Sequence, residues 1–157
     1  MDTAKRIYLS FSNLFIFFLF FTSTMALAGC GGSLPASIGE FAPCPSSPHC
    51  VSTKSSDSEH GIQPLTYSVA KEIVKQHLLN IVQKMPGAVV RKNQDNFMHF
   101  EFTSDLMGFV DDVEFYFESD GKIDFRSSSR IGYDDFGTNR NRMEVIRKHL
   151  STVSVAK

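Results

Sequence analysis

With 157 residues, 42% of them hydrophobic and 21% charged, the chain has the length and composition of one globular domain rather than two. Its net charge of −1 argues against a nucleic-acid partner, because neutralising phosphates requires a dense basic surface. It carries no internal repeat and no zinc-finger, Walker or dinucleotide fingerprint, so neither a cofactor nor a resident metal is expected.

The front of the chain reads as an export signal. Lys5 and Arg6 form a basic leader, Leu14 to Phe21 form an unbroken apolar run, and Thr22-Ser23-Thr24 is the polar step after it. That run is shorter than the roughly 20 apolar residues a permanent membrane helix needs, and it suits the apolar region of a signal peptide. Leu27-Ala28-Gly29-Cys30 then closely resembles the lipobox of bacterial lipoproteins. The resemblance implies that residues 1–29 are removed, that the Cys30 thiol takes a diacylglycerol, and that several acyl chains hold the mature protein on a membrane. By the sorting rule of such lipoproteins, Gly31 after the cysteine implies the periplasmic face of the outer membrane, where the cell has one. The competing reading is a plain secretory signal cut near Ala26 or Ala28, with Cys30 left as a free thiol.

Residues 30–40 are rich in Gly, Ser and Pro and read as a flexible tether, and residues 41–157 as one domain. From Phe41 to Ser58 the chain reads as an ordered strap without regular structure, containing Cys44 and Cys50. An exported compartment permits a disulfide between them, and closing so short a loop stabilises by roughly 2 kcal/mol. The alternatives are a metal site built from Cys44, His49, Cys50 and His60, whose spacing matches no standard zinc motif, and a redox pair, which lacks the Cys-x-x-Cys spacing.

From Thr66 the pattern is helical: Ala70, Ile73, Val74, His77, Leu78, Ile81, Val82 and Met85 recur at three- and four-residue spacing, Thr66 or Ser68 is the expected cap, and Pro86-Gly87 the stop. Ala88 to Arg91 reads as a short strand, with a turn over Asn93-Gln94-Asp95-Asn96. Phe97 to Thr103 alternates, Met98, Phe100 and Phe102 against His99 and Glu101. Asp112 to Glu118 alternates as well, and Lys122 to Arg130 follows it. Opposed residues share a face, so Phe117 should meet Ile123, Phe115 meet Phe125 and Glu114 meet Arg126. Ser119-Asp120-Gly121 then makes a three-residue loop with Gly121 in the left-handed position. Thr138 to Leu150 is a second helix, capped by Thr138 or Asn139, with Met143, Ile146 and Leu150 as its apolar stripe. Helix, strands, helix predicts an α+β fold: one two-layer domain, an antiparallel sheet with both helices on its apolar face.

Three stretches resemble the domain of unknown function 1499 family: Cys44-Pro45 through Pro48-His49-Cys50-Val51-Ser52, then Phe109 to Phe115, then Arg126 to Gly137 with Asn139 and Arg142 after it. Together they span most of the mature chain. The family commonly has Asn where this chain has His49, and its name carries no reaction.

The segment from Arg126 to Arg142 is the strongest site candidate. Guanidinium forks at Arg126, Arg130 and Arg142, the Ser128 hydroxyl, and Asn139 at a helix start suit a carboxylate or phosphate. The competing reading pairs these cations internally: Glu114 with Arg126, Asp112 with Arg130, and Asp135 either with Arg142 or as a helix cap. A hydrolytic triad can be drawn from His60, His99 and Asp112, but no Gly-x-Ser-x-Gly elbow supports it. The leading expectation is a non-catalytic envelope lipoprotein that binds an envelope protein or a small anionic ligand. The alternative is an enzyme acting on an anionic envelope metabolite through the Arg126 to Arg142 segment.

Overall fold

In the computed structural model, residues 40–119 and 121–154 are described. The export signal, Cys30 and nearly all of the tether lie outside them. Among the described residues, no helix is long and apolar enough to cross a membrane. The elements run β1 (Cys50–Ser52), β2 (Leu65–Thr66), α1 (Lys71–Gln83), β3 (Ala88–Gln94), β4 (Phe97–Thr103), β5 (Val110–Phe117), β6 (Lys122–Ser129) and α2 (Thr138–Ser154). The sheet order is β1-β6-β5-β4-β3, with β2 beside the far end of β6, and every strand pair is antiparallel. The fold is α+β, with both helices over one sheet face.

The central hairpin has the expected register: Phe117 faces Ile123, Phe115 faces Phe125, Glu114 faces Arg126 and Asp112 faces Ser128. Gly121 holds φ 77°, and a Cβ there would stand 2.7 Å from the Tyr67 carbonyl oxygen, so both conformation and space demand glycine. Gly87, just past α1, has φ 73°, and its carbonyl accepts from the Thr103 amide at 3.0 Å. The core joins Val74, Leu78 and Val82 of α1 and Met143, Ile146 and Leu150 of α2 to the apolar sheet face. Phe100, Phe115 and Phe125 are fully buried there. Phe115 packs edge-on to Phe100, with ring centroids 5.9 Å apart.

Several boundaries differ from expectation, each for a tertiary reason. Neither Thr66 nor Ser68 caps α1. The helix begins at Lys71 behind Ala70 with no side-chain cap, because Leu65 and Thr66 are drawn into pairing with Ile123 and Lys122. β3 runs on to Gln94, leaving only Asp95 and Asn96 as the turn, and a bulge at Arg91 absorbs the extra residue. The strap is not wholly irregular, since Cys50–Ser52 forms β1 against the outer edge of β6, and Val51 enters the core. α2 is capped by Asp135 rather than by Thr138 or Asn139: its Oδ2 accepts from the Asn139 amide at 2.8 Å.

The sheet face away from the helices carries buried charge. His99, Asp112, Glu114, Asp124 and Arg126 are all buried on it. Burying such groups is tolerated only when they are paired or change charge state, and each of these faces an oppositely charged or hydrogen-bonding partner.

Candidate functional site

β6 divides the expected site in two. Arg126, Ser128 and Arg130 project to the polar face. Ser127 and Ser129 alternate to the helix side, where α2 brings Asn139 and Arg142. The five expected residues therefore form two networks on opposite faces of one strand.

On the polar face, Asp112 accepts from His99 Nε2 at 2.8 Å and from Arg130 Nε and Nη2 at 2.8 and 2.9 Å. Burial pushes the Asp112 carboxyl up, but the hydrogen bonds from His99 and Arg130 outweigh it and hold it at about 2, below the usual 3.8. Arg130 also reaches Glu101, which pairs with Arg91 too. Beside this cluster, Glu114 Oε2 lies 3.6 Å from Arg126 Nη1. Burial drives the Glu114 carboxyl up and the Arg126 guanidinium down, each opposed by the other's charge. Both carboxyl oxygens of Glu114 and the Nε of Arg126 lack a hydrogen-bond partner. Ser128 is buried beside them and bonds only weakly, at 3.4 Å, to the Ser129 carbonyl. At the hairpin end, the strap closes over this face with Lys54, which donates to Asp124 at 2.5 Å.

On the helix side Asn139 is fully buried and is the hub. Its Nδ2 donates to Asp135 Oδ2 at 2.8 Å, Ser129 Oγ at 3.1 Å and the His49 carbonyl at 3.1 Å. Its Oδ1 accepts from Arg142 Nη1 at 2.7 Å. Arg142 meets Asp111, at 2.6 Å, and not Asp135, and its guanidinium lies 4.4 Å from the Phe102 ring centre. One amide thus ties α2, β6 and the cysteine strap together. The strap contributes the carbonyl of His49, which any residue supplies, so Asn at that position is not required for this contact.

Cys44 and Cys50 form a disulfide with Cα atoms 5.6 Å apart, which takes both thiols out of any metal set. His60 binds Asp57 at 2.8 Å and the Ser47 carbonyl at 3.2 Å, so it does not complete a triad with His99 and Asp112. Among the described residues, no group of three or more His, Cys, Asp and Glu is placed to hold a metal ion.

Above the Arg142–Asp111 pair opens a cleft of about 670 Å³ between the β4–β5 loop and the segment leading into α2. Phe102 and Arg142 line its inner part, Val145 one side, and Leu106, Met107 and Phe136 its rim. Each loop is held by hydrogen bonds among its own residues. Ser104 closes the first, its amide donating to the Phe109 carbonyl and its Oγ accepting from the Phe109 amide, both at 2.9 Å. In the second, Asp134 Oδ1 accepts from the Phe136 amide at 2.7 Å. Phe136 sits at φ 53°, a left-handed conformation that costs a bulky side chain on the order of 1–2 kcal/mol. The result is that Leu106 and Phe136 are 91% and 90% exposed and Met107 is 65% exposed.

A model of the family described as "Protein of unknown function (DUF1499)" matches residues 40–150. The chain belongs to this family. No curated protein and no solved structure matches it. The matched DUF1499 region contains the disulfide, both charge networks and the whole cleft.

Of the expected site residues, the structure thus joins Asn139 to Arg142 and puts Arg126, Ser128 and Arg130 on one face of β6, while separating the two groups. The cleft had no place in the sequence reading of this DUF1499 domain. Its signal was nonetheless present, as large apolar residues in turns, where solvation favours small polar ones: Leu106-Met107 before Gly108, and Phe136 before Gly137.

Proposed function

We propose that this protein is a non-catalytic binding module of the cell envelope, tethered through a lipid on Cys30, that engages an apolar ligand through the cleft between residues 104–109 and 131–137. The single observation behind the binding role is the cleft itself. Its size falls in the range of about 300–1,000 Å³ typical of small-ligand sites. Its rim holds Leu106 and Phe136 almost wholly in water, with Phe136 in a strained conformation, although nothing in the packing of the domain calls for either. The ligand is placed here rather than on the arginines because Arg126, Arg130 and Arg142 each already face a carboxylate. The tether rests on the basic leader, the apolar run and the lipobox in that order, and Gly31 supports the outer-membrane location.

Two experiments test this reading. Mass spectrometry of the membrane fraction is expected to find Cys30 as an acylated N-terminus. A Cys30→Ala chain processed and retained on membranes like the wild type refutes the tether. For the cleft, envelopes carrying the full chain are irradiated with a neutral alkyl diazirine. The label is expected on peptides holding residues 104–109 and 131–137, and to fall sharply in Leu106→Ser/Phe136→Ser. Labelling spread evenly over the domain, or unchanged in that variant, removes the cleft from the proposal.

A further inference from the structure

The cleft is apolar in its walls and acidic in its charge. Four carboxylates line it, Asp105, Asp111, Asp134 and Asp135, against one guanidinium, that of Arg142. The cation is consumed by Asp111 at 2.6 Å, and Ser129 Oγ donates to the other oxygen of the same carboxyl, also at 2.6 Å. Asp135 is committed to the Gly137 and Asn139 amides and the Asn139 side chain. Asp134 gives one oxygen to the Phe136 amide. That leaves the second oxygen of Asp134 and the carboxylate of Asp105, one on each loop, both exposed residues that line the cleft, as charge with no cation paired to it among the described residues.

We propose that the cleft takes a cationic amphiphile, a molecule whose apolar tail lies between Leu106, Phe136 and Val145 and whose protonated amine sits at the mouth between Asp105 and Asp134. The proposal rests on the cleft being the binding site, and adds the chemistry of what enters it. Three features select this occupant. The apolar walls favour a tail, since contact with Leu106, Met107 and Phe136 removes exposed hydrocarbon from water. The uncompensated carboxylates favour a positive head and reject a carboxylate or phosphate monoester, so the pocket discriminates by repulsion as well as by fit. The cavity is concave, and its acidic rim is repelled by the anionic surface of a bilayer, so the apolar loops are built to receive a molecule rather than to lie flat on a membrane. One head chemistry, a protonated primary amine, has two sources in an envelope: a free alkylamine, and the ethanolamine head of an aminophospholipid, whose ammonium can reach the two carboxylates only with its own phosphodiester turned outward.

The test uses the full chain in isolated envelopes and three photoreactive probes that share one diazirine-bearing alkyl tail and end in a primary amine, an alcohol or a carboxylic acid. The amine is expected to label peptides of residues 104–109 and 131–137 about fivefold more than the alcohol, and the acid least, as two exposed charge contacts allow. In Asp105→Asn/Asp134→Asn the amine preference is expected to fall to parity with the alcohol. Asn at 134 keeps the acceptor for the Phe136 amide, and an unchanged melting temperature shows that the loop is intact. Phosphatidylethanolamine and phosphatidylglycerol carrying the diazirine in one acyl chain form the second arm. Labelling by the amine and by phosphatidylethanolamine supports a lipid source, and labelling by the amine alone a free one. Equal labelling by all three tails, or an acid that labels as well as the amine, overturns the cationic amphiphile while the cleft stands. No labelling of either loop by any probe overturns the cleft as well.

Discussion

Asp112→Asn removes a charge from a point where two cation-capable side chains converge, and its cost can be worked from the geometry. In the folded chain the Asp112 carboxyl is pushed up by burial but held at about 2 by His99 and Arg130, against 3.8 when unfolded. That gap, at about 1.4 kcal/mol per pH unit, gives the ionised carboxylate a contribution of roughly 2 kcal/mol. The sign follows from the direction of the shift. A carboxyl whose folded value is depressed contributes fully above 3.8 and loses that contribution as pH falls through about 2. At pH 7 the Asn variant should therefore unfold about 2 kcal/mol more easily, a melting temperature lower by about 8 °C for a domain of this size. The difference between wild type and variant should hold to about pH 4 and close by about pH 2. Urea titrations across that range, followed by far-ultraviolet circular dichroism, measure it. Glu114 cannot mimic the result, because burial raises its carboxyl and its contribution fades in the opposite direction, as pH rises above 4.5. A difference below about 0.5 kcal/mol at pH 7, or one that persists unchanged at pH 2, would show that Asp112 is solvated and that the hydrogen bonds from His99 and Arg130 do not hold in solution.

Glu114 and Arg126 should be strongly coupled: either Ala substitution alone leaves a buried unpaired charge and costs about 3 kcal/mol or more, while the double variant should cost less than their sum by about 1–3 kcal/mol. Additive costs in denaturant titrations would mean the two side chains do not sense each other. Cys44 and Cys50 should resist alkylation until reductant is added, and Cys44→Ser/Cys50→Ser should lose about 2 kcal/mol of stability. Ready labelling of both in freshly isolated protein contradicts the bond. Phe136→Asn should raise stability by up to about 1 kcal/mol, since Asn accepts the left-handed conformation and an exposed ring leaves few contacts behind, while lowering the labelling of the cleft by apolar probes. A variant that melts lower than wild type would show that the ring supports the domain and is not held out for a ligand.

What was legible in the sequence follows from how local each signal is. The β5–β6 register could be read because alternation on both strands and one glycine leave a single pairing that keeps Phe115 against Phe125. The stripe on α2 was legible because Met143, Ile146 and Leu150 mark one helical face without help from the rest of the chain. β1 and β2 were not, because strands of three and two residues exist only through the edge β6 offers them. The start of α1 moved for the same reason, as pairing with β6 outweighs a capping hydroxyl. The burial of Asp112, Glu114 and Arg126 was hidden because an alternating charged face reads as solvated, whatever is later packed near it.

The division of the Arg126 to Arg142 segment was within reach of the same reasoning. Strand alternation sends Arg126, Ser128 and Arg130 to the side of β6 away from Phe125. Helices that cover the apolar side must then bring Asn139 and Arg142 to the opposite one. Proximity in sequence made one site of residues that the sheet itself separates. The cleft is the reverse case. Its two loops lie about 25 residues apart in the chain and carry no shared motif, yet both sit at the end of the sheet where β5 begins and β6 stops. Antiparallel pairing aligns those two strand ends, with Asp111 opposite Ser129, and Arg142 of α2 locks onto the same carboxylate. The Asn139–Arg142–Asp111 network thus forms the base of the cleft: it ties the root of each loop to α2 and to the other, which opposes the collapse of Phe136 and Leu106 onto the core.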